Sequence, residues 1–191
     1  QVKDIEIRKT KGVDRGISLK TAWSLMQENN VVTIPCVTEE GVLEGVITIG
    51  DITKSYMNLY DSSIISKANT KYSNILDTLE GSIVVGDAEA YFDKGKVLIA
   101  AANPDLMENY IEKHDLVILG NRYESQLCAI EMEAGCIIVC EGAGVSLTIR
   151  KLAQERGCTV ITTPYDTYTT ARLINQSMPI SYFMTMENII G

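Results

Sequence analysis

Residues 45–56, GVITIGDITKSY, predict a strand that passes directly into a helix. Side chains branched at Cβ occupy all of residues 46–49, as is typical of a strand. A glycine then allows a turn, Asp51 is placed to cap a helix, and residues 53–60 can continue that helix. Thr48 and Asp51 are polar where core packing needs no polar group, which favours a ligand with hydroxyl or phosphate groups at this turn.

The residues that flank this turn predict the order helix, strand, strand, helix across residues 1–61. Ser18 precedes apolar residues at helical spacing, so we expect it to cap the first helix. A strand interrupted by Pro35 follows. Two glutamates and Gly41 then predict a hairpin turn into the strand that begins the opening stretch.

The composition argues against several classes of protein. The 191 residues carry a net charge of −8, which does not suit non-specific binding to nucleic acid. No apolar run approaches the about 20 residues that a membrane helix needs, and the polar amino end does not resemble a signal peptide, so we expect a cytoplasmic protein. The five cysteines lie mostly in apolar runs, as buried thiols do, and the single histidine, His114, argues against a zinc site.

Residues 73–177 predict an α/β domain with a mainly parallel sheet covered by helices, because short apolar runs alternate with helical patterns there. The expected helices include 104–114, which opens on Pro104, 123–135, which ends at Gly135, and one that ends at Gly157. Residues 62–72 are interpreted as a linker. Residues 178–191 have no core of their own, and the chain ends after an apolar Ile-Ile pair, so we interpret it as a fragment of a longer protein.

A helix before VVTIPCV, an acidic-glycine hairpin and the motif GVITIGDI lie together in residues 18–57. With these features the segment resembles a cystathionine-β-synthase (CBS) domain. PISYFMT, within residues 178–191, resembles the opening strand of a second CBS motif. The resemblance implies a nucleotide-binding module, since such motifs normally pair, and a truncated second motif at the end of this chain.

LVILGNR and TTPYDTYTTARLI, which begin and end residues 116–174, are similar to segments of the DRTGG domain. The chain departs from that family at Asn121, where the family usually has Asp, so a charge there is not expected. A DRTGG domain at 73–177 between CBS motifs at 1–61 and 178–191 resembles the regulatory region of CBS-containing, manganese-dependent family II inorganic pyrophosphatases.

This resemblance implies a regulatory region and not an enzyme. It implies binding of AMP, ADP, ATP and diadenosine polyphosphates, control of an attached pyrophosphatase, and a homodimer. It implies no metal or other cofactor in this part of the chain, since manganese would be held by catalytic domains that have no counterpart here.

The turn after residue 47 carries the expected nucleotide contacts. The Thr48 hydroxyl can donate to phosphate, and the Asp51 carboxylate can accept from both ribose hydroxyls. Lys20, from the first helix, can meet phosphate charge. The alternative is that Asp51 only caps the helix and Thr48 is an ordinary strand residue.

The strand before the hairpin is expected to hold the base. The backbone at Thr33, Ile34 and Pro35 can read the adenine edge, with apolar side chains forming a slot. Two further loops, 140–148 and 162–170, are interpreted as strand-to-helix turns, with Asp166 as a helix cap.

Two other classes of protein remain open at this stage. One is a ligand-free dimerisation domain of a phosphotransacetylase-type enzyme, in which DRTGG folds also occur. The other is an enzyme of the Rossmann type, which would need a complete dinucleotide loop that residues 140–148 do not supply.

Overall fold

A computed structural model of the chain describes residues 11–57 and 61–184. The chain divides into two compact units, Gln1–Met57 with Ile180–Gly191, called here the hairpin unit, and Asn58–Pro179, called the sheet unit. No helix in the part of the chain that the structure describes is long and apolar enough to cross a membrane.

The hairpin unit has the predicted order of helix, strand, strand and helix. Its elements are α1 (Leu19–Asn29), β1 (Thr33–Val37), β2 (Leu43–Thr48) and α2 (Ile49–Met57). Ser18 caps α1 as expected, since its side chain accepts a hydrogen bond from the Thr21 N–H at 3.0 Å. The core of the unit consists of buried side chains from all four elements, including Leu19, Ala22, Met26, Ile34, Cys36, Ile47 and Ile52.

Two further segments extend the hairpin unit. Val13 forms a parallel bridge with Cys36, beside β1. The short 3-10 helix Ile180–Tyr182 is attached to the segment before α1, because the Ile180 N–H donates to the Ile17 carbonyl at 2.9 Å. The expected opening strand of a second CBS motif therefore contains a 3-10 helix, and its continuation at 185–191 lies outside the described residues.

The sheet unit contains the expected mainly parallel sheet. Its strands and helices are α3 (Ile64–Lys67), β3 (Thr70–Lys71), α4 (Tyr72–Thr78), β4 (Ser82–Val85), β5 (Tyr91–Phe92), β6 (Val97–Ile99), α5 (Pro104–Met107), β7 (Leu116–Leu119), α6 (Tyr123–Glu131), β8 (Cys136–Val139), α7 (Leu147–Arg156), β9 (Thr159–Thr162) and α8 (Thr167–Leu173), followed by the 3-10 helix Ile174–Ser177. The sheet has the order β4-β9-β8-β7-β6, in which only β4 is antiparallel to its neighbour.

Helices cover this sheet on both sides. Strands β7 and β8 are buried at every position, as expected for central strands of a parallel sheet. One core cluster joins Val117 and Ile137 of the sheet to Ala129 of α6 and Ile149 of α7. Helix α8 packs against β7, and α4 contacts the 3-10 helix that follows α8.

Residues 62–72 are folded rather than forming a simple linker. They contain α3, β3 and the first residue of α4. Ile65 and Tyr72 are only 1% and 5% exposed. The segment has the composition of a connector, but its few apolar side chains are enough to anchor it in the core of the sheet unit.

Two helices end earlier than the sequence predicts. Helix α5 ends at Met107, and shortly afterwards the buried Asp115 carboxylate accepts a hydrogen bond from the Glu112 N–H at 2.9 Å. Such a side-chain bond competes with helical bonding of the backbone. Helix α6 ends at Glu131 and not at Gly135. By contrast, α7 ends as expected, with Gly157 in the left-handed region at φ 69°.

Gly135 is required for a close approach between backbones. A Cβ at this position would lie 2.8 Å from the carbonyl oxygen of His114. Strand β8 begins directly after Gly135, and β7 begins two residues after His114, so neither backbone can move away without disturbing the sheet. The glycine reflects sheet packing rather than a helix end.

We expect Gly135→Ala to lower the free energy of unfolding by about 1–3 kcal/mol, the usual cost of overpacking a rigid site. Urea denaturation measures this change. Gly144→Ala is the matched control, because a Cβ there meets no atom within 4 Å. Equal stability of the two variants would contradict the assignment of Gly135 to backbone packing.

Candidate nucleotide site in the hairpin unit

Thr48 and Asp51 cap helix α2 reciprocally. The Asp51 carboxylate accepts hydrogen bonds from the Thr48 N–H at 2.8 Å and from the Thr48 hydroxyl at 2.7 Å. In return, the Thr48 Oγ1 accepts from the Asp51 N–H at 3.1 Å. This is a capping box, with Thr48 directly before the helix and Asp51 as its third residue. The prediction that Asp51 is the residue before the helix is wrong by three residues, because Thr48 occupies that position and threonine caps a helix in the same way.

The capping box decides what these groups can offer a ligand. A threonine hydroxyl has one proton, and Thr48 donates it to Asp51. Thr48 can therefore donate to a phosphate oxygen only if its hydroxyl turns away from Asp51. The Asp51 side chain is largely enclosed, since the residue is 8% exposed.

Strand pairing places Thr33 directly across from Thr48. The register aligns Thr33 with Thr48 and Ile34 with Ile47. The Ile49 N–H donates to the Val32 carbonyl at 2.9 Å, so Thr33 and Thr48 form a non-hydrogen-bonded pair. Side chains of such pairs lie close together, and the backbone groups of Thr33 point away from β2.

The outer edge of β1 is partly occupied. The Pro35 carbonyl accepts from the Val13 N–H at 3.0 Å, and the Val37 N–H donates to the Val13 carbonyl at 2.9 Å. Backbone direction alternates along a strand, so Thr33 faces the same edge as these two residues. Two of the residues expected to read the base therefore differ. The Pro35 carbonyl already accepts a hydrogen bond from Val13, whereas the N–H and carbonyl of Thr33 face outward and bond to no other described residue on that side.

A cavity of about 310 Å³ adjoins this edge. Its volume lies at the lower end of the range of about 300–1,000 Å³ that is typical of small-molecule sites. The lining residues among those that the structure describes are Lys11, Gly12, Val13, Leu25, Asn29, Val31 and Ile34. Ile34 is the one predicted site residue on this wall, and it is next in sequence to Thr33.

The other lining residues could not be assigned to the site from the sequence. Lys11, Gly12 and Val13 reach the cavity through the Val13–Cys36 bridge, a contact that no local pattern indicates. Leu25 and Asn29 are four residues apart and thus share one face of α1, the only signal that could have linked them.

Lys20 does not line this cavity. It is the second residue of α1, whereas Asn29 is the last. Asn29 lies nine positions after Lys20, which is about 13 Å along the helix axis. A ligand held in the cavity could therefore reach Lys20 only through a part remote from Asn29.

The remaining polar motifs have structural roles in the sheet unit. Asp166 accepts from the Thr169 N–H at 2.6 Å and caps α8, as predicted. This backbone bond lowers the pKa of the Asp166 carboxyl. Ser146 caps α7 through the Ile149 N–H at 3.2 Å.

Cysteines and metal ligands provide no site in the described residues. All five cysteines are buried free thiols, and burial raises the pKa of the Cys136 thiol well above its ordinary value. Within residues 11–57 and 61–184, no group of three or more His, Cys, Asp or Glu side chains is arranged to hold a metal ion.

Two domain families match this chain. The DRTGG domain matches residues 74–177, and the CBS domain matches residues 2–58. The chain therefore belongs to the DRTGG family, here combined with a CBS domain.

The chain is similar throughout to one regulatory region of known structure. The chain is 37% identical to the CBS and DRTGG domains of the regulatory region of Clostridium perfringens pyrophosphatase. Those domains were solved in complex with the activator diadenosine tetraphosphate. That match has a TM-score of 0.92 and covers 100% of this chain and 83% of the other.

Two full-length relatives are also similar. A cobalt-dependent inorganic pyrophosphatase of Clostridium perfringens is 37% identical over 191 residues, and a probable manganese-dependent inorganic pyrophosphatase of Thermotoga maritima is 26% identical over 186 residues. The matches cover 100% and 97% of this chain but only 35% and 34% of these relatives. The chain thus spans about a third of their length and corresponds to the CBS and DRTGG regulatory region.

We expect Asp51→Ala to lower the free energy of unfolding by about 1 kcal/mol, because Thr48 loses the acceptor for its N–H and hydroxyl. Urea denaturation without nucleotide measures the change. Thr53→Ala is the matched control, since it removes a hydroxyl that bonds only within α2, to the Ile49 carbonyl. If Asp51→Ala has the same free energy of unfolding as this control, the capping role of Asp51 is contradicted.

Proposed function

We propose that this chain binds adenine nucleotides through its CBS domain and thereby regulates an attached inorganic pyrophosphatase. The observation that carries the proposal is the cavity beside β1, the strand whose Thr33 pairs with Thr48 of the Asp51 capping box. An apolar slot and a cluster of polar groups thus belong to one small unit, a combination that suits nucleotide recognition.

The base occupies the cavity in this proposal. Carbon side chains of Val13, Leu25 and Ile34 form its walls. The outward N–H and carbonyl of Thr33 offer a donor and an acceptor side by side. This pair complements the N1 acceptor and 6-amino donor of adenine, whereas guanine presents a donor and an acceptor in the reverse order.

The ribose and phosphate occupy the turn before α2. The Asp51 carboxylate accepts from the ribose hydroxyls, and Thr48, released from Asp51, donates to phosphate. The start of α2 adds the positive end of the helix dipole, while its Ile49 and Asp51 N–H groups stay bonded to Val32 and Thr48. Lys20 adds charge for a phosphate farther from the base.

Regulation follows if the nucleotide has different affinities for two arrangements of the parent protein. The Clostridium relative was solved with diadenosine tetraphosphate as activator, so diadenosine polyphosphates, ATP, ADP and AMP are the proposed ligands. The metal named for the relatives, cobalt or manganese, is proposed to belong to catalytic domains of the parent protein.

We also propose that the chain is a homodimer that forms through the DRTGG domain. Leu147 at the start of α7 and Tyr168 at the start of α8 are 72% and 67% exposed. Both follow the carboxyl ends of neighbouring parallel strands, β8 and β9, so they lie at one edge of the sheet. Large exposed apolar side chains at one edge are typical of an interaction surface.

Calorimetry is expected to show tighter binding of AMP than of GMP. Asp51→Asn should weaken AMP binding about 10- to 100-fold, since a hydrogen bond to a charged group contributes about 1.5–3 kcal/mol. The asparagine amide oxygen can still accept from Thr48 in the capping box, so the stability of this variant should change little. Thr53→Ala again serves as the control. Equal affinity for AMP and GMP, or no heat with either at millimolar concentration, would refute the proposed ligand class.

Sedimentation equilibrium should show that the chain is a dimer. The double variant Leu147→Glu/Tyr168→Glu should be monomeric, because burying unpaired charges at the dimer contact is unfavourable. Val42→Glu is the control, since Val42 is similarly exposed, at 61%, but belongs to the hairpin unit. A double variant that remains dimeric would place the interface elsewhere.

A further inference from the structure

The cavity beside β1 has an uneven distribution of hydrogen-bonding side chains. The side chains of Val13, Leu25, Val31 and Ile34 consist only of carbon, and Gly12 has no side chain. Lys11 can only donate. Among the described lining residues, the single side chain with an acceptor atom is therefore Asn29, through its Oδ1.

A neighbouring backbone group fixes the orientation of this carboxamide. The Asn29 Nδ2 donates to the Leu25 carbonyl at 2.8 Å, one turn earlier in α1. One Nδ2 hydrogen is thus used within the helix, and this bond holds the carboxamide so that the Oδ1, which has no hydrogen-bond partner among the described residues, can accept from a ligand. Because Asn29 is the last residue of α1, its side chain sits at the helix end that borders the cavity.

We propose that the Asn29 Oδ1 accepts a hydrogen bond from the 6-amino group of a purine in this cavity, and that Asn29 is a specificity-determining residue. The inference rests on the proposed binding of adenine nucleotides. An acceptor at this place favours an amino substituent at C6. It disfavours the oxo group of hypoxanthine or guanine, since two acceptors would face each other and one would lose its bond to water.

This role is separate from that of the β1 backbone. The 6-amino group has two hydrogens, so one can bond to the Thr33 carbonyl and the other to the Asn29 Oδ1. The backbone contact survives any substitution at position 29. Loss of Asn29 should therefore reduce discrimination at C6 without abolishing nucleotide binding.

The test is a double-mutant cycle between the protein and the ligand. Calorimetry compares AMP with purine riboside 5′-monophosphate, which lacks only the 6-amino group, for the unaltered chain and for Asn29→Ala. The chain should prefer AMP, and Asn29→Ala should reduce that preference about 3- to 10-fold, the range for one neutral hydrogen bond. Gln27→Ala is the matched control, because it removes a carboxamide from the same helix but not from the cavity lining.

Each outcome separates the possibilities. If Asn29→Ala weakens both ligands by the same factor, or keeps the full preference for AMP, Asn29 does not read the 6-amino group, while the proposed function stands. If the unaltered chain binds AMP no better than purine riboside 5′-monophosphate, the specificity proposal is overturned. If it binds neither, the proposed function fails as well. Melting temperatures of all variants show whether a loss of binding reflects unfolding.

Discussion

The register of the β1–β2 hairpin is the constraint on which the site depends. A shift of one residue would move every side chain of a strand to the opposite face. In the observed register Ile34 and Ile47 are buried together, and Thr33 lies across from Thr48. The apolar core of the hairpin unit thus fixes the register, and the register sets Thr33 across from Thr48 while turning Ile34, which lines the cavity, to the core face.

The same polar groups stabilise the fold and are proposed to bind the ligand. Thr48 and Asp51 satisfy each other in the capping box, which gives α2 a fixed beginning. A ribose and a phosphate would replace the bond between the two side chains, while the backbone bonds at the helix start can persist. Binding therefore exchanges one set of hydrogen bonds for another, so its net strength depends on ligand contacts beyond the turn, including those of the base.

Local patterns predicted those parts of the structure that depend on neighbours in sequence. The order of elements in the hairpin unit, the Ser18 cap and the Asp166 cap follow from such patterns. The cap of α2 is predicted at Asp51 but lies at Thr48, because both residue types cap helices and the strand passes into the helix without a break.

Long-range packing accounts for the features that the sequence did not reveal. Gly135 looks like a helix end, yet it is needed where the backbone of His114 approaches. The cavity depends on Val13 meeting Cys36, so Lys11 and Asn29 become neighbours of one space only in the folded chain. Neither contact has a periodicity or a motif that could be read beforehand.

A crystal structure of residues 1–191 with AMP tests the central claim most directly. We expect the base in the cavity against Ile34 and the Asp51 carboxylate within hydrogen-bonding distance of the ribose hydroxyls. The Thr48 hydroxyl should then have turned from Asp51 towards the phosphate. AMP bound outside the cavity, or bound while Asp51 still accepts from the Thr48 hydroxyl and makes no contact with ribose, would contradict the account.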